Sequence, residues 1–186
     1  MGFRYEFRLS GEGGQGLVLA GKIMAEAAAI YDNKNATQSQ SYGPEARGGA
    51  SRSEVIISDE DIDYPKATDV DFLLALTDEA CKKYATNIKA KGILLIDSES
   101  VKYIPSGNII IYKAPITRLA TEKIGKSLVA NIVALGIITE ITKVISTEAM
   151  QQAILARVPK GTEDLNLKAF QLGREWGKSI LESENK

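Results

Sequence analysis

The residues best placed to do chemistry stand near the N-terminus, in the run Gly11-Glu12-Gly13-Gly14-Gln15-Gly16. Glycines at this spacing permit tight turns that a Cβ would block, and they bare backbone N–H groups to a ligand. A helix starting directly behind them adds unpaired amides and a dipole that favours an anion such as a phosphate. A second polar candidate is Ser41-Tyr42-Gly43-Pro44-Glu45-Ala46-Arg47-Gly48-Gly49. Its Gly43-Pro44 and Gly48-Gly49 pairs mark a loop. Ordering such a loop costs entropy that a bound molecule or a partner surface would offset. Arg47, between two small residues, offers a bidentate fork to a carboxylate or a phosphate. Each candidate also has a plainer reading. The first glycines would serve only close packing of strand and helix, and Arg47 would lie in a solvated loop or pair with Glu45 or Glu54.

The missing residue types narrow the chemistry further. The 186-residue chain has no histidine, which removes the commonest general base and metal ligand. Its one cysteine, Cys81, excludes an internal disulfide and fits a reducing cytoplasm. It also excludes an iron–sulfur cluster held by this chain's own cysteines, which needs about four thiolates. Any chemistry must use backbone amides, carboxylates, Arg, Lys or hydroxyls, or belong to another chain. Asp59, Glu60, Asp61 and Asp63 cluster without the spacing of a calcium loop and read as a solvated turn. A net charge of -1 gives no reason to expect nucleic acid, and no apolar run is long enough to span a bilayer. Arg4, Glu6 and Arg8 interrupt the N-terminal run, so it is not a secretory signal.

The elements that must position the glycines follow from periodicity. Alternating Phe3, Tyr5, Phe7 and Leu9 predict the first strand. Leu17, Ala20, Met24 and Ala27 predict the helix behind the loop. Residues 36–40 read as extended, 51–57 as a strand, and 70–76 as a strand buried on both faces. Thr77 is the expected N-cap of a helix carrying Cys81, Tyr84 and Ile88 inward and ending at Lys91-Gly92. At that spacing Cys81 reads as core rather than nucleophile. Strands are expected at 93–96 and 109–112, and a short helical piece from Pro115 and Thr117. The stretch 127–144 is apolar on nearly every face and so buried in the molecule or in an interface, with Asn131 in need of a partner. Ser146 and Thr147 start a helix that Pro159 ends, and residues 165–181 form a last amphipathic helix with Phe170 and Trp176. This order predicts a single α/β domain over 1–186: a three-layer, Rossmann-like sandwich, its sheet mainly parallel, with helices on both faces. The glycine loop then lies at the carboxyl end of the first strand, where such sheets bind ligands. A dinucleotide site would add an acid about 20 residues past the glycines. Gln38, Ser39 and Gln40 stand there instead, and Asp32 precedes the strand. This weighs against the alternative, a stand-alone nucleotide-binding protein or dehydrogenase.

Over nearly its whole length the chain resembles the gamma subunits of thiamine-diphosphate-dependent 2-oxoacid:ferredoxin (acceptor) oxidoreductases. The resemblance rests on GEGGQG with AGKIMAEAA behind it, and on SYGPEARGGASRSEVIIS over 41–58. Asp61-Ile62-Asp63-Tyr64-Pro65, the strand 70–76 and Asn131-Ile132-Val133-Ala134-Leu135-Gly136 extend it. The form of SYGPEARGG looks most like the 2-oxoglutarate or branched-chain branch. The resemblance implies a complex with alpha, beta and ferredoxin-like delta subunits that turns a 2-oxoacid, expected to be 2-oxoglutarate, and coenzyme A into acyl-CoA (here succinyl-CoA), carbon dioxide and reduced acceptor. It implies thiamine diphosphate, magnesium and iron–sulfur clusters on other subunits, no cofactor on this chain alone, and no catalytic or metal-binding residue in it. The isolated chain is then expected to be inactive, cytoplasmic and able to form a homodimer. Its contribution would be two loops facing coenzyme A or a neighbouring subunit: Gly11, Gly13, Gly14, Gln15 and Gly16, and Ser41, Tyr42, Gly43, Pro44, Glu45, Arg47, Gly48 and Gly49.

Overall fold

A computed structural model describes residues 2–42 and 49–184. Six strands form one sheet in the order β2-β3-β1-β4-β5-β6. They are β1 (Arg4–Glu12), β2 (Asn35–Tyr42), β3 (Ala50–Ser58), β4 (Val70–Ala75), β5 (Ile88–Asp97) and β6 (Ile110–Ala114). β1, β4, β5 and β6 pair in parallel. β3 runs antiparallel to both β1 and β2, so the sheet is mixed, with one reversed strand inserted beside β1. The expected α/β sandwich with a mainly parallel sheet is the fold observed.

Alternation along the strands decides which layer each side chain joins. Phe7 and Leu9 of β1 enter the larger core with Met24, Leu135 and Phe170. Glu6, Arg8 and Ser10 point the other way and are also buried. The first face is covered by α1 (Leu17–Glu26), α4 (Ala130–Thr142), α5 (Thr147–Arg157) and α6 (Glu163–Glu184). The second face carries α2 (Asp78–Tyr84) and a smaller core of Leu73, Ala75, Cys81, Leu94, Ile96 and Val101. Strand β4 is therefore buried on both sides, with Phe72, Leu73 and Leu74 at most 1 % exposed. At roughly 1.5–3 kcal/mol for each fully buried large apolar side chain, this strand anchors the sheet.

Helix α4 is buried from Ala130 to Glu140, as its all-round apolar sequence requires. It packs on α6 at backbone distance. A Cβ at Gly136 would lie 2.2 Å from the Phe170 carbonyl oxygen, and one at Gly173 2.0 Å from that of Val133. Thr77 and Ser146 cap α2 and α5 by accepting hydrogen bonds from the Ala80 and Ala149 amides. Two helices continue into π-helical turns: α1 over Ala27–Tyr31, and α3 (Ile116–Leu119) over Ala120–Ile124. Among the described residues, no helix is long and apolar enough to cross a membrane.

One expected helix is too long. α2 stops at Tyr84, and Ile88 opens β5 instead of closing a helical stripe. The backbone leaves helical geometry at Ala85 (φ -76°, ψ 36°), and Asn87 then takes a left-handed conformation (φ 60°), which asparagine tolerates better than most residues, before β5 begins. Ile88 then pairs with Val70, and Lys91 (φ 64°) lies in an irregular stretch before regular pairing resumes at Ile93. Ile88 stands four residues after Tyr84, so helical spacing and strand membership coincide there by chance. Helix α6 (Glu163–Glu184) extends past both ends of the expected 165–181, and β6 (Ile110–Ala114) ends two residues past the expected 112.

Candidate functional site

Strand β1 ends at Glu12, and the glycine loop turns directly into α1. The turn closes through the Gln15 amide, which donates to the Glu12 carbonyl at 3.2 Å. The Glu12 amide donates in return to Gln15 Oε1 at 2.7 Å. Gln15 thus folds back over Gly11, where a Cβ would be 2.3 Å from Oε1. Gly14 (φ 92°) and Gly16 (φ 73°) take left-handed conformations that favour glycine. Gly16 is the N-cap of α1 and has no side chain to offer, so among the described residues no side-chain oxygen takes up the first-turn amides. They lie beside a cleft of about 400 Å³ lined by Glu12, Gly13, Gly14, Gly16, Leu17 and Lys22. The arrangement suits an anion or a main-chain acceptor from another molecule.

The individual glycines answer the packing question differently. Gly16 leaves room for Asn131, whose Nδ2 would be 2.5 Å from a Cβ there. Gly21, one turn into α1, lets the helix approach β3 at Ser53, whose Oγ would be 2.2 Å from a Cβ. These two therefore serve close approach. Gly13 and Gly14 have nothing within 4 Å of a Cβ, so nothing in the described fold accounts for a bare backbone at Gly13.

The second loop's two ends lie at the same edge of the sheet. Glu12 stands opposite Ala50 in the β1–β3 register, and Tyr42 opposite Ser51 in the β2–β3 register. Ser41 is exposed at the end of β2, and Gly49 turns with φ 90° just before β3. Gly43, Pro44, Glu45, Arg47 and Gly48 lie outside the described residues. Glu54, considered as a partner for Arg47, is engaged by Arg8 at 2.8 Å, with both side chains buried. Arg8 also donates to the carbonyls of Tyr84 (3.0 Å) and Thr86 (2.9 Å). The Tyr84 hydroxyl donates to the Ala50 carbonyl at 2.9 Å, and the Arg52 guanidinium lies 5.3 Å from the centre of the Tyr84 ring. This network holds the start of β3 beside the glycine loop from the second face.

Sequence reasoning placed Tyr84 on the buried side of its helix and offered Glu54 as a partner for Arg47, but joined neither to Arg8; the available signal was an arginine within an alternating apolar strand. The partner of Asn131, by contrast, is the glycine loop. Its Nδ2 donates to the Gly16 carbonyl at 3.0 Å. A second cleft, about 240 Å³ and mostly apolar, adjoins Gly16 on the other side, between Leu19, Leu128, Val129 and Leu165. Leu128 is 74 % exposed there.

The dinucleotide alternative loses its remaining support in this topology. The strand beside β1 on the relevant side is antiparallel β3, which begins Ala50-Ser51-Arg52 and offers no acid at the loop. Asp32 is occupied elsewhere: its carboxylate accepts from the Ser146 amide (2.7 Å) and hydroxyl (2.6 Å). Cys81 is fully buried, and burial followed by the nearby Asp78 charge pushes its thiol up to about 11, so it is a packing residue. Asp59, Glu60, Asp61 and Asp63 are exposed, as expected of a solvated turn.

Comparison with known proteins agrees with this geometry. The family model of pyruvate ferredoxin/flavodoxin oxidoreductases matches residues 6–176. The chain is 53 % identical over 179 residues to the 2-oxoglutarate synthase subunit KorC of Methanocaldococcus jannaschii, covering 95 % of this chain and 96 % of that one. Among solved structures it is similar to a keto/oxoacid ferredoxin oxidoreductase gamma subunit from Geobacter sulfurreducens, with TM-score 0.89 and 54 % identity over 96 % of this chain and 98 % of that one. The 2-oxoglutarate:ferredoxin oxidoreductase of Magnetococcus marinus shares the fold, with TM-score 0.83 and 23 % identity over 95 % of this chain and 31 % of that one. With the matched residues spanning the whole sheet and α1 to α5, the chain belongs to the pyruvate ferredoxin/flavodoxin oxidoreductase family.

Proposed function

We propose that this chain is the gamma subunit of a 2-oxoglutarate:ferredoxin oxidoreductase. In that complex 2-oxoglutarate, coenzyme A and oxidised ferredoxin give succinyl-CoA, carbon dioxide and reduced ferredoxin. The observation that carries the choice of oxoacid is the 53 % identity to a 2-oxoglutarate synthase subunit over 95 % of the chain. The Magnetococcus enzyme, described with 2-oxoglutarate, coenzyme A and succinyl-CoA bound, has this domain within a longer chain. A separate chain of the same fold is then expected to dock against counterparts of the rest.

The residues present do not fit an iron–sulfur cluster, which needs about four thiolates where this chain has one cysteine. Cys81 is fully buried, and no group of three or more His, Cys, Asp or Glu among the described residues could hold a metal ion. Thiamine diphosphate with its magnesium, and the iron–sulfur clusters, are assigned to alpha, beta and delta partners. The isolated chain is inactive in this reading, located in the cytoplasm, and free to pair with itself when its partners are missing.

The chain's own part is to present two loops at one edge of its sheet. The amides of Gly13 to Gly16 and the guanidinium of Arg47 face a coenzyme A phosphate or a partner subunit. Lys22, on the wall of the same cleft, adds positive charge there. Purification of the chain from its native extract tests the assignment. Co-elution with thiamine-binding and ferredoxin-like chains, and coenzyme A-dependent reduction of a viologen dye that prefers 2-oxoglutarate over pyruvate and branched-chain oxoacids, is the expected result. Elution of the chain alone, or preference for another oxoacid, overturns it. Arg47→Ala in the assembled complex tests the loop: a raised KM for coenzyme A or loss of the subunit is expected, and no change in either removes the loop assignment.

A further inference from the structure

We infer that Asn131 is a positioning residue that sets the direction of the glycine loop's amides. The inference rests on the reading above that this loop faces coenzyme A or a partner chain. Asn131 stands near the start of α4 and is 4 % exposed, so its amide must find partners inside the protein. One arm stays local: Oδ1 accepts from the Ile132 amide at 2.9 Å. The other arm reaches across 115 positions of sequence, Nδ2 donating to the Gly16 carbonyl at 3.0 Å. The Ala20 amide donates to that same carbonyl at 3.0 Å. One oxygen thus takes a donor from α1 and a donor from α4.

The orientation of this carbonyl governs the loop. Gly16 is the last residue before α1, and its peptide plane contains the Leu17 amide. Fixing the carbonyl toward Asn131 therefore fixes the opposite direction for that N–H, at the first turn where the cleft lies. The fit is reciprocal, because the space a Cβ would occupy at Gly16 is filled by the Asn131 amide 2.5 Å away. Gly16 is thus explained by Asn131, and the buried asparagine of an otherwise apolar helix is explained by that glycine.

Asn131→Asp separates this role from a simple helix start. Aspartate keeps an oxygen for the Ile132 amide and suits a helix N-terminus, but it cannot donate to Gly16 while ionised. Two readouts are taken: amide exchange of Ala20 by NMR in the full chain, and steady-state kinetics of the assembled complex. The expected result for Asn131→Asp is exchange at Ala20 faster by about tenfold. KM for coenzyme A should rise by about fivefold, with kcat nearly unchanged, the scale of one lost hydrogen bond. Ala20 exchange indistinguishable from the parent overturns the inference, since the carbonyl would then be held without Asn131. Faster exchange with an unchanged KM supports the positioning role while removing coenzyme A as what the loop faces. If the aspartate variant does not fold, Asn131→Ala is measured in the same two ways, with the same outcomes deciding.

Discussion

Gly16→Ala, read against Gly13→Ala, separates the glycines that the fold requires from the one it does not. At Gly16 the backbone has φ 73°, where an L-residue with a Cβ is disfavoured by roughly 1–2 kcal/mol. The new Cβ would lie 2.5 Å from Asn131 Nδ2 and 3.0 Å from its Cγ, so the asparagine must move and its 3.0 Å bond to the Gly16 carbonyl breaks. A buried amide left without its partner costs about 1–3 kcal/mol more. The sum is about 2–5 kcal/mol. For 186 residues the unfolding entropy is about 0.4 kcal/mol/K, so Tm falls by about 5–13 °C. Gly13 has no positive φ, and among the described residues no heavy atom lies within 4 Å of a Cβ there. Alanine there changes stability by less than about 1 kcal/mol and, by restricting the unfolded chain, raises it. Thermal unfolding followed by circular dichroism reads both. Equal Tm values for the two variants would refute the account of Gly16, and a large drop for Gly13→Ala would refute the claim that its Cβ has open space.

Other expectations follow from the same geometry. Arg8→Met leaves the buried Glu54 carboxylate without its main partner and should cost about 3–5 kcal/mol in urea unfolding. Removing both charges with Arg8→Met and Glu54→Leu should cost less than Arg8→Met alone. Gly173→Ala drives a Cβ to 2.0 Å from the Val133 carbonyl, where neither backbone can yield without parting α4 from α6. A loss at or above about 3 kcal/mol is expected, and a Tm near that of the parent would contradict this packing. Cys81, buried and with its thiol pushed up to about 11, should resist a thiol reagent at pH 8 in the native chain and react fully in denaturant. Asp78 is held down at about 2 by its bond from Lys82 and by the Tyr103 and Lys102 amides. Its ordinary value is 3.8, so its stabilising contribution is present above pH 4 and lost as pH falls toward 2. The acid limb of Tm against pH should be shallower over that interval in Asp78→Asn.

Much of the architecture was legible because local and global signals agree. The run 70–76 has no polar face, so it had to lie in a central strand, and it does. The helix over 130–142 has no polar stripe, so it had to be enclosed, and α6 encloses it. The caps at Thr77 and Ser146 are local chemistry and were readable as such. The end of α2 was not, because the spacing of Tyr84 and Ile88 satisfies both a helix and a strand. The break at Ala85 and the left-handed Asn87 that follows became visible only in the fold. The reversed direction of β3 was also hidden, since a strand's residues carry no mark of their partner's direction. That reversal matters for function, because it replaces the parallel neighbour of a dinucleotide fold with Ala50 and Ser51 beside the glycine loop.

The site was legible in its parts but not in its assembly. Gly11 to Gly16 announce a turn, yet the sequence does not distinguish a glycine needed for a ligand from one needed for a neighbour. The neighbour of Gly16 is Asn131, 115 positions away, and only the packing of α4 against α1 brings them together. Asn131 could be recognised beforehand as a polar group needing a partner, and the loop as a backbone needing support. Neither signal named the other, because hydrogen-bond satisfaction is a condition on the folded molecule and not on any window of sequence. The same holds for Arg8: charged within an apolar strand, it had to be paired, and the fold supplies Glu54 together with two carbonyls. In both cases a buried polar side chain braces the edge of the sheet from which the two glycine-rich segments extend. The backbone at that edge is therefore held by residues that do not line the cleft beside the glycine loop.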